Sequence, residues 1–158
     1  MANNQFINLL HHPVKFRMFL FSNLPAAFFS GAKLKYVDDE KCEVEIRYTW
    51  FTRNPFRSTY FACLSMAAEM STGILAMQNV YGRKPRVSML VTKVYGDYRK
   101  RAVGRTIFVC EQGAAIKNAV EEAVHTKAAK TISLNSTGLN ENGEIVADFV
   151  IEWSFKSK

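Results

Sequence analysis

The stretch that decides the fold runs from Ser58 to Asn79 and reads STYFACLSMAAEMSTGILAMQN. It is long enough for a helix of about five or six turns, and it is apolar on almost every side. A helix of that composition is stable in water only when protein covers it all round. We therefore expect a central helix that the rest of the chain encloses.

One charged residue, Glu69, interrupts this helix. A carboxylate in an apolar setting has to reach water, pair with a cation or take part in chemistry. In a structural interpretation, Glu69 pairs with an arginine such as Arg47 or Arg53 and fixes the packing. In a functional interpretation, the free N–H groups near Phe61 and Ala62 bind a developing oxyanion, while Glu69 attacks or activates water. Both interpretations stay open at this point.

The helical period predicts which side chains surround Glu69. Small residues are expected beside it, namely Ala62, Ser65, Thr72, Gly73 and Ala76. Larger residues are expected on a different side, namely Cys63, Met66, Met70, Ile74 and Met77. Such a groove permits close approach by another backbone or by a ligand. Because Glu69 and the helix start lie about 10 Å apart at 1.5 Å per residue, a hydrolytic site of this kind would need a symmetric dimer to bring them together.

The segments around the central helix alternate between helix and strand patterns. Residues 3–29 read as short helices broken at Pro13, and Ser58 or Thr59 is the expected N-cap of the central helix. Strands are predicted over residues 32–36, 42–50, 87–98, 105–112, 130–137 and 144–155, and an amphipathic helix over 116–124. This order predicts an α+β fold, in which an antiparallel sheet of about six strands wraps around one long central helix. Short N-terminal helices and one extra amphipathic helix complete it.

Composition narrows the class of protein. The 158 residues, 48% of them hydrophobic, predict a single domain over residues 1–158, and the net charge of +7 favours an anionic partner. Three cysteines without a CxxC pair, together with no convincing secretory signal, predict reduced thiols and a cytoplasmic protein. We expect no metal or cofactor.

Two further classes of partner are disfavoured. Glu69 would lie near the middle of a bilayer, at a cost of roughly 2.5–3.5 kcal/mol, so we expect no membrane span. The basic residues lack interleaved exposed aromatics that could stack on bases, so we expect no nucleic acid.

The spacing of Asn54, then Tyr60-Phe61-Ala62, then Glu69 resembles a known pattern. It is similar to Asn…His-Gly-Gly…Asp/Glu in the hotdog-fold thioesterases of the phenylacetic-acid-pathway (PaaI-like) type, and the chain resembles the DUF4442 branch of that superfamily still more closely. The resemblance implies a hotdog fold, an acyl-CoA or related thioester as substrate, and a homodimer or homotetramer. It also implies that Asn54 orients the thioester carbonyl or the water and that the Ala62 N–H binds the oxyanion. Glu69 of the neighbouring subunit would be the base or nucleophile.

Three positions depart from that pattern, because Tyr60 replaces His and Phe61-Ala62 replaces Gly-Gly. An acyl-CoA thioesterase is therefore weighed against a protein that binds an acyl chain or acyl-CoA without hydrolysing it, with a purely structural oligomer as a third alternative. Further residues are expected at the substrate. They are the polar Ser65 and Ser88, Phe61, and six basic turn residues that could meet CoA phosphates, namely Arg83, Lys84, Arg86, Arg99, Lys100 and Arg101.

Overall fold

The computed structural model describes residues 2–158, with side chains from Phe6 onward. Its helices are α1 (Ala2–Leu10), α2 (Pro13–Asn23), α3 (Pro25–Ser30), α4 (Phe61–Val80) and α5 (Gly113–Thr126). Its strands are β1 (Lys33–Val37), β2 (Cys42–Arg47), β3 (Val87–Tyr98), β4 (Arg105–Cys110), β5 (Lys130–Leu139) and β6 (Ile145–Ser157). The predicted order of elements is confirmed, and the predicted bounds of β3 match those observed.

The six strands form one antiparallel sheet in the order β1-β2-β4-β5-β6-β3. The central helix α4 packs on one face of this sheet, and α1 and α3 contact α4 from the N-terminal part of the chain. Phe6 of α1 and Leu20 of α2 are fully buried in the same core. The α+β architecture predicted from the sequence, a sheet wrapped around one long helix, is therefore confirmed.

Two pairs of polar side chains fix α4 against the sheet. The hydroxyl of Ser71 lies 2.8 Å from that of Ser136 on β5, and Trp153 Nε1 on β6 donates to Thr72 Oγ1 at 2.9 Å. An apolar helix could otherwise rotate about its axis at little cost, because its sides are alike. These buried hydrogen bonds specify which side of α4 meets the sheet and which side meets α1 and α2.

The structure corrects the sequence-based bounds at the start of α4 and at the end of β2. The helix begins at Phe61, and its N-cap is Tyr60, whose side chain makes no capping hydrogen bond, so the prediction of Ser58 or Thr59 was wrong. Ser58 instead bonds Asn54. β2 ends at Arg47, not at residue 50, because Thr52 Oγ1 donates to the Arg47 carbonyl and turns the chain.

β3 is an edge strand with an open apolar surface. It pairs only with β6 among the described residues, so its other edge carries unpaired backbone groups. Leu90, Val94, Tyr95 and Tyr98 are all exposed along it. A long edge strand with exposed apolar side chains is a template for pairing with another strand.

A glycine locks the β1–β2 turn onto α5. Gly113 N–H donates to the Glu40 carbonyl at 3.0 Å, and a Cβ on Gly113 would lie 1.8 Å from the backbone oxygen of Asp39. The backbone of the turn cannot move aside as the end of a flexible side chain can. No residue larger than glycine fits there without displacement of the turn.

We therefore predict that Gly113→Ala lowers the free energy of unfolding by about 3 kcal/mol because of this overlap. Gly104→Ala is the matched control, since its Cβ would meet only the Glu141 carboxyl at 3.8 Å, an ordinary contact. Urea unfolding of both variants measures the difference. Equal stability of the two variants would contradict the close approach of the turn to α5.

Candidate functional site

Glu69 lies on the side of α4 that faces the N-terminal helices. It makes no hydrogen bond or salt bridge through its side chain with any residue from Phe6 to Lys158. Thr72 Oγ1 bonds the Glu69 backbone carbonyl at 2.9 Å and Trp153 in turn bonds Thr72, so the turn of helix that carries the carboxylate is held. A Cβ on Gly73 would lie 3.0 Å from Glu69 Oε1, so the glycine makes room for the carboxylate.

The expected pairing of Glu69 with an arginine is not found. Arg47 Nε instead bonds Glu45 Oε1 at 2.7 Å, and Arg53 lies in the loop before α4, where its backbone pairs with Thr59. Within residues 6–158 of one chain, Glu69 therefore forms no ion pair, and pairing with an arginine at a subunit contact stays a prediction. What remains is a carboxylate without a partner in an apolar setting.

Glu69 lines a cavity of about 400 Å³ between α4 and the N-terminal helices. Glu69 is the only acidic or basic side chain among the lining residues that the structure describes. The others are Phe6, Phe16, Phe19, Leu20, Leu24, Met70, Gly73, Ile74, Met77, Val80, Tyr81 and Met89. This volume falls within the range of about 300–1,000 Å³ that is typical of ligand sites. The cavity suits an apolar chain that ends near one carboxylate.

The predicted surroundings of Glu69 were only partly right. Gly73 adjoins it as expected, but Met70, Ile74 and Met77, which were expected on a different side, line the same cavity. Adjacent rows of a helix share a cavity when the covering helices span both rows. No feature of the sequence indicated that the Phe and Leu residues of α1 and α2 would line a cavity.

Burial raises the pKa of Glu69 from 4.5 to about 7. The cause is desolvation, because an apolar environment penalises the charged form and no cation offsets that penalty. A carboxylate with a pKa near neutrality exchanges its proton readily at physiological pH. It therefore meets the requirement of a general base.

The first turn of α4 presents two backbone donors. Tyr60 N–H donates to Thr52, and Cys63 N–H donates to Tyr60, but the N–H groups of Phe61 and Ala62 have no backbone acceptor. The free donors expected from the sequence are thus present. Together with the positive end of the helix dipole, they can stabilise an anion.

Phe61 lines a second cavity, of about 590 Å³, which we call the α4 cleft. Ala62, the predicted oxyanion donor, is the next residue of the helix; it is exposed and does not itself line the cleft. The cleft brings together six of the residues predicted to act at the site, namely Asn54, Tyr60, Phe61, Arg99, Lys100 and Arg101. Tyr98, which the sequence did not single out, also lines it, and its ring lies 6.3 Å from that of Phe61. Glu69 lies in the other cavity, so one chain divides the predicted site into two halves.

Asn54 holds its own loop in this structure. Its Oδ1 accepts from Phe56 N–H at 2.9 Å and from Ser58 N–H at 3.2 Å, and its Nδ2 bonds Ser58 Oγ at 3.0 Å. This loop leads directly into α4 and shapes the rim of the α4 cleft. The role of Asn54 toward substrate stays a prediction.

The basic turn residues differ in how far their charges are already paired. Arg99 pairs with Asp97 and Asp148, Lys100 with Glu144, and Arg101 bonds the Phe56 carbonyl. Arg83 makes two hydrogen bonds with Glu121, at 2.8 and 2.6 Å. Lys84 and Arg86 are exposed and form no ion pair with the residues described.

Of the two predicted serines, Ser88 donates to the Lys156 carbonyl across the β3–β6 pair at 3.1 Å. Ser65 lies half-buried on α4. Neither lines the Glu69 cavity or the α4 cleft. Their roles at a substrate stay untested predictions.

Comparisons with known structures agree on the fold. A Pseudomonas aeruginosa protein of unknown function, described as a "Probable Thioesterase", superposes with a TM-score of 0.77 at 19% identity, over 92% of this chain and 97% of that one. A thioesterase from Haemophilus influenzae gives 0.66 at 8% identity, over 92% and 90%. A variant of a thioesterase from Staphylococcus aureus gives 0.65 at 10% identity, over 84% and 98%. The architecture is thus the hotdog fold found in thioesterases.

The sequence itself matches the family model described as "Domain of unknown function (DUF4442)" over residues 16–155. The chain belongs to the DUF4442 family, as its residues indicated. No relative with a curated description matches the sequence.

Among residues 2–158, no helix is long and apolar enough to cross a bilayer. The same residues contain no cluster of three or more His, Cys, Asp or Glu side chains that could hold a metal ion.

We predict that Glu69→Gln stabilises the protein increasingly as the pH rises. The folded-state pKa of Glu69 is raised, so the stability that its protonated form contributes is complete below about 4.5 and is lost as the pH rises through about 7. The advantage of the variant over wild type should grow by up to about 3 kcal/mol between pH 4 and pH 8, as measured by urea unfolding.

The control is Glu121→Gln, because Arg83 lowers the pKa of Glu121 and the shift has the opposite sign. This variant should lose stability relative to wild type as the pH rises. A pH-independent difference for Glu69→Gln would contradict the raised pKa.

Proposed function

We propose that the protein is an acyl-CoA thioesterase whose site forms between two subunits, with Glu69 as general base or nucleophile. One observation carries the proposal. Glu69 is a carboxylate with no ion-pair or hydrogen-bond partner among the side chains described from Phe6 onward, and it lies at the wall of an apolar cavity with its pKa raised to about 7. A structural carboxylate in such a place would be expected to have a cation beside it.

The chemistry follows from the two halves of the site. As a base, Glu69 takes a proton from water while the water oxygen attacks the thioester carbonyl carbon. The negative charge that develops on the carbonyl oxygen is stabilised by the Ala62 N–H at the start of α4. The C–S bond then breaks, and the CoA thiolate leaves with the proton that Glu69 had taken. If Glu69 attacks directly, the C–S bond breaks as CoA leaves as a thiolate, and an acyl-carboxyl anhydride forms on Glu69. Water then hydrolyses the anhydride to the free acid and restores the Glu69 carboxylate, and the proton released goes to the thiolate.

The topology of β3 supports a site shared between subunits. Met89, near the start of β3, lines the Glu69 cavity, and Tyr98, at its end, lines the α4 cleft. If two copies pair antiparallel through their β3 edges, the start of each strand lies opposite the end of the other. The Glu69 cavity of one subunit would then adjoin the partner's α4 cleft. A two-fold axis makes two such sites.

Exposed apolar side chains along β3 support the same pairing. Leu90, Val94, Tyr95 and Tyr98 are exposed on this strand, and its outer edge has no partner strand among residues 2–158. Pairing would bury both the side chains and the backbone groups. A homodimer is thus the smallest assembly that completes the site, and a homotetramer would contain two such dimers.

The charges fit a CoA thioester. Lys84 and Arg86 follow Tyr81, which lines the Glu69 cavity, and carry no ion pair within the described chain. Arg101 lies at the α4 cleft, and the ion pairs of Arg99 and Lys100 are exposed. Exposed ion pairs contribute little free energy, so phosphates can displace the acidic partners.

The alternative function is binding of an acyl chain or acyl-CoA without hydrolysis. It is favoured by the exposed rings of Tyr60 and Phe61, whose centroids lie 4.8 Å apart next to the free N–H groups. Bulk at this point obstructs the close approach of a thioester carbonyl to the donors. The cavity and the cationic residues would serve binding equally well.

We predict that wild-type protein releases free CoA thiol from a panel of acyl-CoAs, and that Glu69→Gln lowers kcat by about 100-fold or more through loss of the base. The wild-type rate should rise with pH and level off above the pKa of about 7, because only the ionised carboxylate is active. Thiol release across pH 5–9 measures both effects.

The control variant is Glu122→Gln, which removes an exposed carboxylate that pairs with Lys130 and lines neither cavity, and it should leave the rate unchanged. Equal background rates for wild type and Glu69→Gln would exclude hydrolysis by Glu69. If calorimetry then showed acyl-CoA binding, the alternative function would be supported. Absence of both hydrolysis and binding would overturn both functions.

We predict that Leu90→Asp converts the dimer into monomers, because it places a charge on the apolar edge of β3. The matched control is Val103→Asp, since Val103 has a similar exposed fraction, 61% against 66% for Leu90, and lies in the β3–β4 loop. Light scattering after size exclusion measures the mass. A dimer in both variants would contradict assembly through β3.

A further inference from the structure

Helix α2 has apolar side chains on two opposite sides. Phe16 and Leu20 face the core and are buried. Val14, Met18 and Phe21 recur at the i, i+4, i+7 spacing on the other side, and all three are exposed. The side with Phe16 and Leu20 packs against the core. The other side has no covering element in the described chain.

The exposed stripe continues onto α3. Leu24 and Phe29 are also exposed, and the ring centroid of Phe21 lies 6.2 Å from that of Phe29. Phe28, half-buried, packs edge-on against both rings at 5.1 and 5.3 Å and holds them in place. We call the five exposed residues the α2–α3 patch, namely Val14, Met18, Phe21, Leu24 and Phe29.

The charges around the patch have one sign. No Asp or Glu occurs before Asp38, whereas Lys15, Arg17, Lys33 and Lys35 all occur in this part of the chain. On the helical period, Lys15 and Arg17 lie on the two flanks of the exposed stripe. An apolar surface flanked by lysine and arginine is typical of helices that lie in the interface of an anionic membrane.

A groove of about 530 Å³ opens on the Arg17 side, between α2 and β1. Its lining includes Arg17, Lys33 and Lys35. Arg17 Nη1 is buried without a hydrogen-bond partner among the described residues, and the guanidinium lies 4.3 Å from the centroid of Phe28. Lys35 already lies 4.0 Å from Glu45, so Arg17 and Lys33 are the cations left to meet an anionic group.

We propose that the α2–α3 patch docks the protein on an anionic lipid surface. Val14, Met18 and Phe21 enter the boundary between headgroups and acyl chains, and Lys15 and Arg17 meet the headgroups from the two flanks. A second copy of the chain fits less well. An isologous contact through this patch would bring its cations against the same cations of the partner.

The patch is continuous with the Glu69 cavity. Leu24 is exposed in the patch and also lines the cavity. Phe19 and Leu20 of α2 line the cavity as well. A docked protein would have an apolar path from the lipid boundary to Glu69. Docking itself stands apart from the proposed hydrolysis, and only this route for the acyl chain rests on it.

The test is flotation of the full chain with vesicles, without substrate. One set contains phosphatidylcholine alone, and the other contains phosphatidylcholine with phosphatidylglycerol. Wild type should bind the anionic vesicles at least tenfold more tightly than the neutral ones, and binding should fall as salt rises. Val14→Asp should weaken binding to anionic vesicles about tenfold or more, because it places a negative charge within the patch.

Val103→Asp is the matched control, since Val14 and Val103 are 62% and 61% exposed and the substitution is identical. It should bind as wild type does, and neither variant should change the melting temperature. Equal weakening in both variants, or equal binding of wild type to both vesicle types, would overturn the proposal. A change in oligomeric state in Val14→Asp, with vesicle binding retained, would assign the patch to a second copy instead and would also overturn it.

Hydrolysis of a short, soluble acyl-CoA distinguishes this proposal from the proposed function. Val14 lines neither the Glu69 cavity nor the α4 cleft, so Val14→Asp should keep wild-type rates on that substrate. Loss of docking with hydrolysis intact supports the patch. Docking without any hydrolysis would support the role of the patch and would contradict the proposed thioesterase activity.

Discussion

Burial of α4 is the constraint on which the rest of the structure depends. The helix is apolar on nearly all sides, so the sheet must cover one side and the N-terminal helices the other. The sheet covers its side of α4 completely, whereas a cavity remains between α4 and the helices α1 and α2. Glu69 faces that cavity and finds no cation there. Its raised pKa is a direct consequence of how the helix is enclosed.

The orientation of Glu69 depends on a few buried polar contacts. Ser71 meets Ser136, and Thr72 meets both Trp153 and the Glu69 backbone. Without them the sheet could accept other rotations of a helix whose sides are so similar. With them, the carboxylate is directed toward the cavity that α1 and α2 line together with Met89 of β3. The small residues Ser71, Thr72 and Gly73 thus place the functional group as well as fill the core.

Much of the fold could be predicted from the sequence. Alternation of apolar and polar side chains located all six strands, and the long apolar run located α4, because these patterns reflect burial on one face or on all faces. The start of α4 was less accessible, since Ser58 and Thr59 are good caps in principle but Ser58 is engaged by Asn54 in the preceding loop. The end of β2 was missed because a single bond from Thr52 turns the chain.

The site was predictable only in part, because it depends on contacts between distant segments. The position of Glu69 on α4 and the free N–H groups of the first turn follow from one helix, and their roles at a substrate stay predictions. The cavity requires α1 and α2 to pack over two rows of α4, which no local pattern specifies. Its enclosure by Phe16, Leu20 and Met70 therefore emerged only in three dimensions.

The proposed site is divided between two cavities, and this division suggests a role for the exposed edge of β3. One half lies near the start of that strand and the other at its end, so antiparallel pairing of two copies would join them. Hydrolysis and assembly would then depend on the same strand, because pairing of β3 would join the two halves of the proposed site.

The most direct test is a ¹³C NMR titration of the Glu69 side-chain carboxyl, assigned by its loss in Glu69→Gln. The raised pKa of Glu69 predicts a midpoint at about 7, and binding beside Glu69 predicts a change in chemical shift when a non-hydrolysable acyl-CoA analogue is added. A midpoint near 4.5, unaffected by the analogue, would contradict it.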